Sequence, residues 1–176
     1  NINQHKHIII TGDQVNALGV LRSLAEGNVS PILIYAVESR FRKIVISSKY
    51  AKKCHKVSSY EEAIKLLIDV YGLEENKPFV YTCDDTIAYL MYSHYNDLID
   101  KFYFFNAGEQ GRINELLNKQ VQCSLAKQCG LDIPTQEMVN VGILPTTLQY
   151  PVLTKTLMST MGRWKEDYFI CDNKEQ

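Results

Sequence analysis

A glycine that closes a β-branched run and opens a helix leaves backbone amides free to approach an anion, and Thr11, Gly12 and Asp13 form such a turn, with Gly19 and Arg22 beyond it. The dinucleotide fingerprint requires GxGxxG and an acidic residue closing the second strand; here Gly12 and Gly19 stand too far apart, which disfavours an NAD enzyme. Gly12 serves equally well as a plain tight turn, and Gly19 as a close contact between helix and sheet. A second candidate is the pair Asp84 and Asp85, adjacent carboxylates after an apolar run, which could hold a metal or a substrate amine. The same pair suits a helix start, where Asp accepts from orphan amides and complements the dipole. Gly12, Asp13, Asp84 and Asp85 are therefore candidate substrate-binding residues. His55 and His94 lie in unrelated segments and support no metal site, and no residue is assigned a catalytic role.

The elements that must position these residues follow from periodicity. His7 to Thr11 and Pro31 to Val37 are short apolar runs expected as buried parallel strands, and between them Gln14 to Glu26 carries Val15, Leu18, Leu21 and Ala25 at helical spacing, stopped by Gly27 and Asn28. Ile44 to Ile46 and His55 to Val57 are further strand candidates around the basic stretch Ser47 to Lys53. Ser59 and Glu62 form a capping box for a helix running to Gly72. Pro78 to Cys83 reads as a strand, Asp84 to Tyr95 as a helix, and Phe102 to Phe105 as the edge of the sheet. Alternating strands and helices imply a doubly wound α/β sheet with ligands outside its carboxyl ends. From about Glu109 the pattern changes: one helix is expected over Arg112 to Cys129, closed by Gly130, then two strands, Pro151 to Leu157 and Asp167 to Asp172, joined through Ser159 to Lys165.

Composition narrows the classes of function. With 45% apolar and 22% charged residues the chain is an ordinary globular one, and a net charge of −1 with interspersed signs gives no footprint for nucleic acid. The longest early apolar run, Ile8 to Ile10, is too short for a signal peptide or a membrane span, so no membrane association is expected. Five scattered cysteines, Cys54, Cys83, Cys123, Cys129 and Cys171, read as reduced cytoplasmic thiols that are mostly packing residues.

The last third carries an ordered string: NK at 118–119, LAKQCGLDIPT at 125–135, and YPVLTK at 150–155. This order resembles the entry to an ATP-grasp domain. The first part, TGDQVNALGVLRSLAEGNVSPILI at 11–34, SSKYAKKCHKV at 47–57 and VYTCDDT at 80–86, resembles the domain that precedes ATP-grasp in carboxylate-amine ligases, including those like the carbamoyl-phosphate synthase large subunit. The resemblance implies a Rossmann-like pre-ATP-grasp domain over residues 1–108 and the beginning of an ATP-grasp α+β subdomain, incomplete, over 109–176.

By the same resemblance Lys155 is the strand lysine that contacts ATP, and Lys119 an earlier basic residue of the nucleotide pocket. Gly162, Arg163 and Lys165 belong to the loop that closes over the phosphates, where the family usually has more glycine and a Pro in place of Thr156. The implied activity is a ligase that forms an acylphosphate with ATP and Mg2+ and joins a small-molecule carboxylate to an amine, with a homodimer open. The metal ligands are expected outside this chain, and the chain by itself is expected to be inactive. Two other classes stay open: a non-catalytic nucleotide- or metabolite-binding module or half of a split ligase, and an interaction protein with an exposed apolar ribbon.

Overall fold

A computed structural model describes residues 4–12, 15–36, 45–157 and 168–175. The chain divides into two compact units, Asn1–Asn114 and Glu115–Gln176.

The first unit is α/β, with a five-stranded parallel sheet: β1 His7–Thr11, β2 Ile32–Ala36, β3 Lys53–Val57, β4 Phe79–Thr82 and β5 Tyr103–Phe104, in the order β3-β2-β1-β4-β5. Every residue of β1 and β2 is buried, which is why both read as continuous apolar runs. The strand period then sorts neighbours to opposite faces. Ile9 and Leu33 pack under α1, Val15–Glu26, with Ala17 and Leu21, while Ile8, Ile10 and Ile34 pack under α2, Tyr60–Tyr71, and α3, Asp85–Ser93.

Helix ends obey local chemistry. The stop of α1 is a Schellman turn in which Asn28, at φ 59°, takes the left-handed position, with Asn28 N–H donating to Ala25 O and Val29 N–H to Leu24 O. Ser59 caps α2 by accepting from Glu62 N–H, and the Glu62 carboxylate reaches back to Ser58, one residue before the cap. A short helix α4, Tyr95–Leu98, follows α3 after a break at His94.

The expected strand at Ile44 to Ile46 is not one where it is described: Val45 to Ser47 form a turn, with Ser48 N–H bonded to Val45 O. Val45 is buried against the α1 face all the same, so its apolar character reflects packing and not pairing. The expected single helix over Arg112 to Cys129 is two, α5 Arg112–Leu116 and α6 Lys119–Gln128. Asn118 separates them, because it is extended and its side chain accepts from Gln120 and Val121 N–H as the cap of α6.

In the second unit α6 ends in another Schellman turn, with Gly130 at φ 75° and Leu131 N–H bonded to Ala126 O. Strands β6, Val152–Thr154, and β7, Phe169–Cys171, pair antiparallel. No described residue of this unit is buried. Among the described residues no helix is long and apolar enough to cross a membrane.

Candidate functional site

The chain runs outward from β1 through β2 to β3, then α2 carries it back across the sheet to β4 on the other side of β1. The loops leaving β1 and β4 therefore part company, and the crevice between them is the place where such sheets bind ligands. A cavity of about 290 Å³ lies there, lined by Asn16 and Val20 of α1, by Thr82 and Cys83 at the end of β4, and by Asp84 and Asp85 at the start of α3.

Tyr60, in the first turn of α2, ties the crevice together. Its hydroxyl donates to Asp84 Oδ2 at 2.5 Å and is itself hydrogen-bonded by the Gly12 backbone amide. A Cβ at Gly12 would lie 2.5 Å from Tyr60 Oη and 3.2 Å from Ala36 O. Glycine is needed here so that a side chain can reach the turn. Burial, with the bond to Asp84 and its charge, raises the Tyr60 hydroxyl far above its ordinary value, so it remains a donor. The other oxygen of Asp84 accepts from Thr86 N–H at 3.0 Å and Ile87 N–H at 3.1 Å.

Asp84 is thus the cap of α3 and the acceptor for Tyr60 at once. Asp85 is exposed in the first helical turn and shares none of these bonds. Beside them burial, with the charge of Asp84, pushes the Cys83 thiol up to about 11, which keeps it an inert packing group at neutral pH. The sequence does not mark Tyr60 as a site residue. Its only signal is its place just after the Ser59 cap, which says where a helix starts and nothing of what lies across the sheet.

Of the residues expected at this end, Gly12 and Asp84 come together through Tyr60, and Asp85 adjoins them. Asp13 lies outside the described residues. Gly19 sits on the exposed side of α1, where an added Cβ would meet nothing within 4 Å, so the expected helix-to-sheet contact is not made. The cysteines are not mostly packing residues: all five are free thiols, and only Cys83 is buried. His55 bonds Tyr71 Oη at 2.7 Å and His94 pairs with Asp97 at 3.2 Å.

In the second unit Lys119 opens α6 and Lys155 follows directly on β6. Lys119 N–H donates to Leu157 O at 3.1 Å, which lays the start of α6 beside the segment leaving β6 and brings two lysines 36 positions apart in sequence onto adjoining backbone. The exposed Lys155 ammonium lies 5.7 Å from the centre of the Tyr168 ring. Gly162, Arg163 and Lys165 lie outside the described residues. Among the described residues no group of three or more His, Cys, Asp or Glu could hold a metal ion.

No protein-family model matches the sequence, and no curated protein matches it. Solved structures share the fold. An L-amino acid ligase from Bacillus licheniformis is similar over 97% of this chain at 11% identity and a TM-score of 0.63. The biotin carboxylase domain of the Hydrogenobacter thermophilus 2-oxoglutarate carboxylase, a dimer in complex with MgADP, ADP and bicarbonate, is similar over 97% at 17% identity and a TM-score of 0.58. The chain spans 39% of the length of the first and 38% of the second.

Proposed function

We propose that this chain is the leading part of an ATP-dependent carboxylate-amine ligase of the ATP-grasp type, with residues 1–108 as its pre-ATP-grasp domain and 109–176 as the start of the ATP-grasp domain. The observation that carries this reading is the likeness in fold to an L-amino acid ligase over 97% of the chain, which takes in both units. The ordered string ending in YPVLTK supports it from the sequence. Kinship with the carbamoyl-phosphate synthase large subunit is the finer form of the proposal.

In this reading ATP is a substrate that supplies the phosphoryl group. The carboxylate attacks the terminal phosphorus, ADP leaves, and the amine then attacks the acylphosphate carbon with release of phosphate. Lys155 and Lys119 fit a place beside the phosphates, because the bond from Lys119 to Leu157 sets their backbones side by side and Lys155 is exposed. Their fixed positive charge offsets the charge that shifts as the phosphoryl group moves. Magnesium would be held by residues of the complete enzyme other than those described here. The crevice of Gly12, Asp84 and Asp85 is the proposed contact for the carboxylate or amine substrate. A homodimer belongs to the same reading.

The test begins with the intact mass of the native gene product, captured from its own cells, followed by assay of ADP formation with MgATP, an amino-acid mixture and an added amine. The expected result is a product well above 176 residues whose ADP formation requires both substrates and falls by about 100-fold in Lys155→Ala. A native product of this length that forms no ADP sinks the ligase and leaves a binding module or half of a split enzyme.

A further inference from the structure

The opposite end of the sheet carries a larger cleft that the proposed ligase chemistry does not use. It has a volume of about 950 Å³ and runs below the amino ends of β1, β2 and β3. Lys6, Lys49, Lys52 and Lys53 line it, with Glu74 as the one acidic lining residue among those described. The whole chain is close to neutral, with 19 basic against 20 acidic residues, so a lining with four lysines departs from the average composition of the chain.

Glu74 is already engaged by Lys6. Lys49, Lys52 and Lys53 are exposed and, among the described residues, form no ion pair. Parallel strands explain why they gather: β2 and β3 start side by side, and Lys52 N–H donates to Pro31 O at 2.7 Å, which fixes the basic stretch beside the entry to β2. The C-terminal ends of α1 and α2 also face this side and bring about half a negative charge each. Carbonyls of both last turns are bonded, Leu24 O by Val29 and Ile68 O by Gly72, and three ammonium groups with no ion pair among the described residues outweigh what remains. Tyr50, also in the lining, holds its ring 5.3 Å from the Lys49 ammonium and leaves an aromatic surface at the same place.

We propose that this cleft binds a small soluble molecule bearing a polyphosphate group. Several adjacent oxyanions match several lysines on a short stretch of chain, and a recess of this volume admits a molecule the size of a nucleotide. The claim is independent of the ligase reading.

Inorganic tripolyphosphate titrated into the full chain at low salt, followed by amide chemical shifts and calorimetry, tests it. The expected result is a saturable shift at residues 49–53 and an affinity that falls by about tenfold or more in the triple variant Lys49→Ser, Lys52→Ser, Lys53→Ser. A charge-matched control, Lys56→Ser, Lys65→Ser, Lys127→Ser, also exposed but outside the cleft, is expected to change affinity less than about twofold. Equal weakening in both triples, or shifts that never localise to 49–53, overturns the proposal. ATP added in competition identifies the source of the group. Displacement at lower concentration than tripolyphosphate, weakened by Tyr50→Ala, marks a nucleotide; equal displacement marks a bare polyphosphate.

Discussion

The two units obey the same local rules and differ in what those rules are attached to. Each has helices with a side-chain cap, Ser59 and Asp84 in the first and Asn118 in the second, and each closes a helix with a Schellman turn, at Asn28 and at Gly130. The first unit adds two buried clusters, one on each face of its sheet. The second has no buried residue among those described, and Val141, Ile143 and Ile170 face solvent. Caps and turns therefore set where elements begin and end in both, at about 1 kcal/mol each. Only the first unit has the two-faced apolar pattern that turns elements into a core, and its stability rests there.

The sharpest way to break this comparison is to make one chemical change in both places. Leu33, on β2, is fully buried under α1, and Leu33→Ala is expected to cost about 2–5 kcal/mol, from lost transfer energy and the cavity left behind. Ile170 in β7 is 70% exposed, and Ile170→Ala is expected to stay within about 0.5 kcal/mol. Urea unfolding followed by circular dichroism measures both. Comparable losses would mean that the second unit has a core this structure does not show.

A smaller effect separates a cap that only ends a helix from one wired into a crevice. Asp84→Ala removes the acceptor for two α3 amides and leaves the half-buried Tyr60 hydroxyl without an acceptor, for an expected loss of about 2–3 kcal/mol. Asn118→Ala removes a cap of the same kind with no such third partner, and about 1 kcal/mol is expected. Tyr60→Phe, which spares the cap and deletes the hydroxyl that joins Asp84 to the Gly12 amide, should by itself cost most of that difference, about 1–2 kcal/mol. If Tyr60→Phe is neutral, the bond to Asp84 contributes nothing and the crevice is held by the cap alone.

The same contrast decides what could be read without coordinates. β1, β2, α1 and α2 match their expected spans closely, because periodicity, turn residues and burial agree there. The errors fall where one signal stood alone. Val45 is apolar because it packs on α1, and an apolar short run looks like a strand whichever way it is buried. In sequence Asn118 and Lys119 read as a polar pair inside one helix, although the extended backbone and capping side chain of Asn118 break that helix. At the crevice the turn at Gly12 and the pair at Asp84 were visible, yet Tyr60 was not. The bond from Tyr60 depends on α2 crossing the sheet to bring its first turn back beside β1, and no local window contains that information.

The smallest expected effect tests whether local order in the second unit survives without burial. Glu137 accepts from the backbone amides and hydroxyls of Thr146 and Thr147, which closes the loop 137–147, and these bonds, the Thr146 amide first, pull its carboxyl down to about 2. A carboxyl whose folded value lies below its ordinary 4.5 contributes order that is complete above that value and is lost as pH falls towards the folded one. The Thr146 and Thr147 amide signals should therefore hold between pH 7 and 4.5 and move with a midpoint near 2. Glu137→Gln, with no carboxylate to lose, should abolish that titration and leave the unfolding midpoint where it was, since the group is not buried and its bonds stay within its own loop. Amides that titrate near 4.5 would show that the loop does not close in solution. The second unit's local geometry would then depend on burial as the first unit's core does, and the division drawn between them would fail.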